Sequence, residues 1–264
     1  MDLGLKGKVA AVFAASRGLG KASAMALAEE GCDLAICSRN KVAIESAADQ
    51  IRAATGRRVL ALPLDVTSPK AAEHFAGEVE ATYGRCDILV NNSGGPPAGT
   101  FDSLSAEQFA AAADLLLMNV VRATKAFLPL IRRDGQGGRV ITITSVSVRE
   151  VIANLMLSNA LRAAVAGWSK TLARELGPEG ILVNCVAPGT IHTERIEELV
   201  AANAARSGKS PEEIREALRG RIPLGRFGRP EEFAAAVAFL ASARASYITG
   251  TTVYVDGAMT STVL

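Results

Sequence analysis

The chain has 264 residues, of which 49% are hydrophobic and 21% charged, so it is not a disordered polymer and has apolar surface enough for a sheet covered on both faces. Its 29 basic and 27 acidic residues leave a net charge of +2, too balanced for a nucleic-acid or membrane surface but compatible with a small anionic ligand held by one or two arginines. Two scattered histidines, His74 and His192, and four cysteines without CxxC spacing give no zinc pattern, so no metal is expected. No apolar run approaches the ~18–20 residues of a membrane span, and the first residues lack a signal-like apolar core, so the expectation is a cytoplasmic protein.

Along the chain, apolar runs alternate with helical stretches. Strand 8–14 precedes a helix over 18–30, strand 33–38 a helix over 41–54, and strand 58–65 a helix over 69–83. Strand 87–92 leads to one long helix over 106–132, and strand 139–145 to a helix over 153–176. Strand 181–187 follows, then a helix over 230–242 and a last strand over 251–255. Several strands are continuous apolar runs, such as Val-Ala-Ala-Val-Phe-Ala and Ile-Leu-Val-Asn-Cys-Val, so they are buried on both faces, as parallel strands between two helix layers are. The expected fold is a single α/β domain over 1–264, a doubly wound parallel sheet of about seven strands in three αβα layers. The segment 190–229 is rich in charge and poor in strand signal, and is expected to form a substrate lid. Its arginines and one lysine either meet a phosphate of an acyl carrier or coenzyme A, or form a solvated face with the six glutamates between Glu194 and Glu216.

In an open parallel sheet, ligands bind beyond the carboxyl ends of the strands. Six of those ends here are polar or glycine-rich: Ala14 to Gly20, Ser38-Arg39-Asn40, Asp65-Val66, Asn91 to Gly95, Thr144-Ser145 and Ala187 to Thr190. Gly18 and Gly20 let backbone approach a pyrophosphate, and the helix beginning there offers free N–H groups and a partial positive charge. An acid after the second strand would hydrogen-bond a ribose 2′-hydroxyl. Ser38 and Arg39 stand there instead, and an arginine accommodates a 2′-phosphate, with Arg17 within reach of the same group. NADP(H) is the expected cofactor.

These residues resemble the short-chain dehydrogenase/reductase family, most nearly its β-ketoacyl carrier-protein reductase-like members. The family's Thr-Gly-x-x-x-Gly-x-Gly is matched by Phe13-Ala14-Ala15-Ser16-Arg17-Gly18-Leu19-Gly20, its Asn-Asn-Ala-Gly by Asn91-Asn92-Ser93-Gly94, and its Pro-Gly loop by Pro188-Gly189-Thr190-Ile191-His192-Thr193. The resemblance spans essentially the whole chain and implies a Rossmann-type fold and interconversion of a carbonyl and an alcohol, a 3-oxoacyl compound among the candidate substrates. It implies that Asp65 and Val66 flank the adenine, that Asn91 holds a strand end against the nucleotide, and that Ile191 and Thr193 contact the nicotinamide side. Ser93, Gly94, Pro188 and Gly189 fall in the same cofactor motifs. Asn119 matches the family's helix asparagine, which supports a water relay, and Ser145 its catalytic serine, which orients the carbonyl. A homotetramer, or at least a homodimer, is implied through the helices 106–132 and 153–176.

The departure is at the family's Tyr-x-x-x-Lys motif, where Ser158 and Arg162 stand. Four residues apart on a helix, they share a face. Arginine can still hold the nicotinamide ribose and supply charge, but a serine hydroxyl is a far poorer proton donor than a phenol with pKa ~10. The replacement donor is His192, Glu150 or a water bridging Ser145 and Ser158 to Asn119. Ala14, in place of the first glycine, is a milder departure if that turn has room for one methyl. A nucleotide-binding sensor or partner subunit without turnover is the competing reading, and a methyltransferase is disfavoured by Arg39.

Overall fold

The computed structural model describes residues 1–263. Seven parallel strands form one sheet: β1 Val9–Val12, β2 Asp33–Ser38, β3 Val59–Pro63, β4 Ile88–Asn91, β5 Gly138–Ile143, β6 Ile181–Pro188 and β7 Thr252–Val255, in the order β3-β2-β1-β4-β5-β6-β7. Alternation along the inner strands feeds two cores. Ala10, Val12, Leu34 and Ile36 pack on one face with Ile44, Phe233 and Val237, while Val9, Ala11, Phe13, Ala35 and Cys37 pack on the other. There Phe13, Phe75 and Phe127 meet edge to face, with ring centroids 5.0–5.9 Å apart.

The helices are α1 Gly18–Glu29, α2 Lys41–Thr55, α3 Ala71–Tyr83, α4 Ala106–Ala113, α5 Asn119–Arg132, α6 Met156–Leu176, α7 Glu194–Ser207, α8 Pro211–Arg219 and α9 Pro230–Ala241. Local chemistry sets several ends. The Asn40 side chain accepts the Ala43 N–H, and Ser210 with Glu213 forms a capping box ahead of α8, where Pro211 takes the first helical position. Among the described residues, no helix is long and apolar enough to cross a membrane.

Three elements differ from the sequence expectation. The helix expected over 106–132 contains a π turn, Asp114–Met118, between α4 and α5, and the Asn119 N–H bonds to the Asp114 carbonyl five residues back. Such an insertion is invisible to a periodicity argument and is frequent at functional sites. The helix expected from 153 begins at Met156, because Asn154 takes a positive φ of 62° and Leu155 bridges Gly99. The segment 190–229 is largely helical, folding into α7 and α8.

Ala14 sits at φ 49°, in the left-handed region. The departure at this position is therefore conformational as well as steric, since an L-residue there costs roughly 1–2 kcal/mol. Ala14→Gly is expected to stabilise the protein by about 1 kcal/mol, raising the melting temperature by about 2–4 °C in calorimetry. An unchanged or lower midpoint would contradict the strain.

Candidate active site

The strand order reverses beside β1, which lies between β2 and β4, so the crevice opens at the carboxyl ends of β1 and β4. The β1–α1 turn is closed tightly there. Asn92 Nδ2 donates to the Ala14 carbonyl at 3.2 Å, and a Cβ on Gly20 would lie 2.4 Å from that same oxygen. Backbone N–H groups at the start of α1 receive no side-chain cap, and no acidic residue occupies the first turn. An uncapped helix N-terminus of this kind is an anion site in waiting. Ser16, Gly18 and Leu19 are partly buried around it and Arg17 is exposed.

The rim beyond β2 and β3 carries Arg39, exposed and without a hydrogen bond or ion pair among the described residues. Asp65 accepts the Thr67 N–H at 3.0 Å and its hydroxyl at 2.8 Å. Those bonds, together with the Arg39 charge, hold its carboxyl below the usual range. Val66 beside it is buried. From β4, Asn91 Nδ2 donates to Thr124 Oγ1 of α5 at 3.1 Å, which anchors the strand end, while the Ser93 hydroxyl bonds the Gly94 carbonyl. Pro188 ends β6. Gly189 follows, its bare Cα packed so closely on Asp256 that a Cβ would come within 2.7 Å. Ile191 is buried against Gly228, and the Thr193 hydroxyl bonds the Ile191 carbonyl at 3.3 Å.

Of the residues expected to be catalytic, Ser145 follows β5, Ser158 and Arg162 lie on α6, and Asn119 opens α5. Ser145 lies just past β5, and its Oγ accepts the Ser147 N–H at 3.1 Å, leaving the hydroxyl proton for another acceptor. Ser158 is buried in the first turn of α6. One helical turn on, Arg162 Nη1 donates to the Ile143 carbonyl at 3.1 Å, which holds the guanidinium at the end of β5, two residues before Ser145 in the chain. Burial and the charge of Arg195 push the Arg162 pKa down to about 10, so it remains a cation at neutral pH. Asn119 is buried at the end of the π turn, and that turn packs on α6.

His192 and Glu150 are engaged elsewhere. The His192 side chain is 68% exposed and lies 3.7 Å from a Glu197 oxygen, while Glu150 accepts the Ser261 N–H at 3.0 Å. In the 190–229 segment most cations are ion-paired: Arg215 with Glu197 and Glu212, Arg219 with Glu212 and Glu216, Arg226 and Arg229 with Glu232. Arg195 differs. It crosses the crevice from α7 to donate to the Pro96 carbonyl at 2.9 Å, and Glu198 of the same helix pairs with Arg17 at 3.1 Å. Sequence reasoning did not single out Asn92, and placed Arg195 only within a group of basic residues. All four cysteines are buried and free, and burial pushes the Cys32, Cys37 and Cys86 thiols up to about 12, far from reactive thiolates.

Comparison with known proteins now decides the family. The Enoyl-(Acyl carrier protein) reductase family profile matches residues 13–260. The chain belongs to the short-chain dehydrogenase/reductase family. It is 37% identical over 259 residues to an uncharacterized oxidoreductase of Mycobacterium tuberculosis, covering 97% of this chain and 93% of that one. It is 36% identical to a 3-oxoacyl-(acyl-carrier-protein) reductase of Vibrio cholerae, covering 97% and 99% of the two chains. The structure of L-sorbose reductase from Gluconobacter frateurii, complexed with NADPH and L-sorbose, superposes with a TM-score of 0.94 at 32% identity over 100% of both chains.

In this short-chain dehydrogenase/reductase the glycine turn is testable against an internal control. Gly20→Ala forces a Cβ onto the Ala14 carbonyl and is expected to cost about 1–3 kcal/mol of stability, with loss of dinucleotide binding. Gly77→Ala, in α3 with nothing within 4 Å, is expected to be stabilising by roughly 0.5–1 kcal/mol. Thermal unfolding of both variants checks the contrast; a tolerated Gly20→Ala would mean that the turn is not closed.

Proposed function

We propose that the chain is an NADP(H)-dependent oxidoreductase interconverting a carbonyl and an alcohol, working without the family's tyrosine and lysine. The observation that carries the cofactor reading is the uncapped N-terminus of α1 flanked by the exposed Arg17 and Arg39. The residues fit the dinucleotide: the α1 N-terminus and Gly18 to Gly20 for the pyrophosphate, Arg39 and Arg17 for the 2′-phosphate, Asp65 and Val66 at the adenine, and Ile191 and Thr193 toward the nicotinamide. The reduced nicotinamide, when bound, supplies hydride to a carbonyl carbon.

The chain's own contribution is to the oxygen. Ser145 has a hydroxyl proton to donate to a developing oxyanion, and Arg162 holds a fixed positive charge at the end of the same strand. In a site closed from water such preorganised groups are worth far more than in bulk solvent. Neither gives up a proton readily, because arginine stays ionised and an unassisted serine hydroxyl is weakly acidic. Protonation of the oxygen is therefore assigned to water held between Ser145, Ser158 and Asn119. Slow or narrow turnover follows, with α7 and α8 acting as the lid over the substrate.

We also propose assembly as a dimer or tetramer through α4–α5 and α6. Of the alanines on these helices, Ala110, Ala111, Ala160, Ala163 and Ala164 are exposed, as small residues at a close helix contact would be in the free chain, while Ala112 is buried and Ala113 and Ala166 are half-buried. A monomeric mass in sedimentation at micromolar concentration would overturn this.

Three measurements test the reading. NADPH is expected to bind more tightly than NADH in a fluorescence titration, and Arg39→Ala to erase most of the difference; equal affinities in the unaltered protein would refute the 2′-phosphate site. Ser145→Ala is expected to remove carbonyl reduction. The double variant Ser158→Tyr with Arg162→Lys restores a phenol on the same helical face, and should reduce an activated ketone about 10-fold faster or more, within the ~10²–10⁴-fold range of general acid catalysis. A double variant that binds NADPH normally yet gains nothing would show that more than the acid is missing.

A further inference from the structure

Around the crevice the three guanidinium groups of Arg17, Arg162 and Arg195 have one carboxylate between them among the described residues, Glu198, which pairs with Arg17 and Arg195. Arg162 donates to one backbone carbonyl and has no carboxylate partner among the described residues. Arg195 lies flat on the Gly95 backbone, where an added Cβ would sit 2.9 Å from its Nε and Nη2, and it is tethered to the Pro96 carbonyl. Its nearest carboxylate, Glu198, is at 3.5 Å and is shared with Arg17 at 3.1 Å. The two tethers, Ile143 at the end of β5 and Pro96 in the loop after β4, belong to neighbouring strand ends, and Ser145 lies beside the first. Burial, and after it the Arg195 charge, lowers the Arg162 pKa.

Like charges brought together in a partly desolvated site are destabilising unless something bound neutralises them. The dinucleotide's pyrophosphate belongs at the start of α1 and its 2′-phosphate at Arg39. What it brings toward Ser145 is a ribose and a nicotinamide ring, which offer no second anion. The missing negative charge is then the substrate's. A guanidinium presents a planar fork that matches a carboxylate through two parallel hydrogen bonds, which an ammonium does not.

We propose that the substrate is an oxo acid whose free carboxylate is held by Arg195 and Arg162 while its carbonyl oxygen lies against the Ser145 hydroxyl. This rests on the reductase reading above and narrows its substrate class. The carboxylate is unchanged in the reaction. The carbonyl carbon gains a hydride and its oxygen a proton from water, while the nicotinamide is oxidised. The 3-oxoacyl thioesters reduced by the carrier-protein reductases lack a free carboxylate near the carbonyl, so this site would distinguish them from the corresponding free acids.

The test uses matched pairs, a 2-oxo acid and a 3-oxo acid each with its methyl ester, titrated by calorimetry into the full-length protein with and without NADP⁺. The acids are expected to bind roughly 10–100-fold more tightly than the esters, the range of a charge-assisted hydrogen bond. Arg195→Gln should collapse that acid–ester difference, and Arg195→Lys should restore only part of it, while NADPH affinity stays within about two-fold. Steady-state rates of NADPH oxidation should show the same loss as a raised KM for the acids. Equal binding of acid and ester, or an Arg195→Gln variant that loses NADPH affinity in place of acid affinity, overturns the proposal; the second result assigns Arg195 to the cofactor. Because both arginines belong to the free chain, acid binding without NADP⁺ decides the proposal even if the dinucleotide titration were to refute the reductase reading.

Discussion

Burial of the sheet on both faces is the constraint from which the rest follows. Val9–Val12, Ile88–Asn91 and most of Ile181–Pro188 are buried along their length, so a ligand can approach them only from their ends. Chemistry is pushed to the strand ends. At those ends the first backbone N–H groups of a helix lack partners, and the chain must choose between capping them and leaving them to a ligand. It caps α2 with Asn40 and α8 with Ser210, and it leaves α1 uncapped. Other helices, α3, α6 and α7 among them, also start without a side-chain cap, but α1 starts beside the point where the strand order reverses, where an open α/β sheet has its crevice.

Holding that crevice open takes tight backbone approach. Asn92 ties the β4 end to the Ala14 carbonyl, and Gly20 must lack a side chain for the tie to exist. Asn91, one residue earlier, reaches in another direction and fixes Thr124 of α5. A single dipeptide thus links the glycine turn to the helix that opens with Asn119. The π turn ahead of α5 changes the helical register there and lets Asn119 be buried against the site.

The sheet and its strand ends were legible because they depend on local composition: continuous apolar runs, glycines after β1, and an arginine where an acid would select a 2′-hydroxyl. The π turn was not, because an apolar helix face tolerates one extra residue without losing its pattern. The strain at Ala14 was not, because a sequence shows the methyl but not the φ of 49°. For the 190–229 segment, charge alternation indicated a solvated face, and the ion pairs of Arg215, Arg219 and Arg226 fit that. It could not separate Arg195 from its neighbours, since only the packing of α7 against the 92–97 loop turns that one side chain across the crevice. His192 had the right intrinsic chemistry, but its exposure beside Glu197 depends on the same packing.

The exchange of tyrosine and lysine for Ser158 and Arg162 alters what the site asks of a substrate. A phenol beside a lysine delivers a proton, so nearly any carbonyl of suitable shape can be turned over. A guanidinium beside serines holds charge but does not deliver a proton, so on the proposed mechanism the oxygen is stabilised until water protonates it. A substrate that brings its own anion to the arginines gains binding energy from groups remote from the reacting carbon, and that energy can offset orientation and desolvation costs at the carbonyl. On that reading, weak acid chemistry and anion recognition are one design. On the proposed reading, Arg162, which stands where the family has lysine, also helps to select the molecule to be reduced.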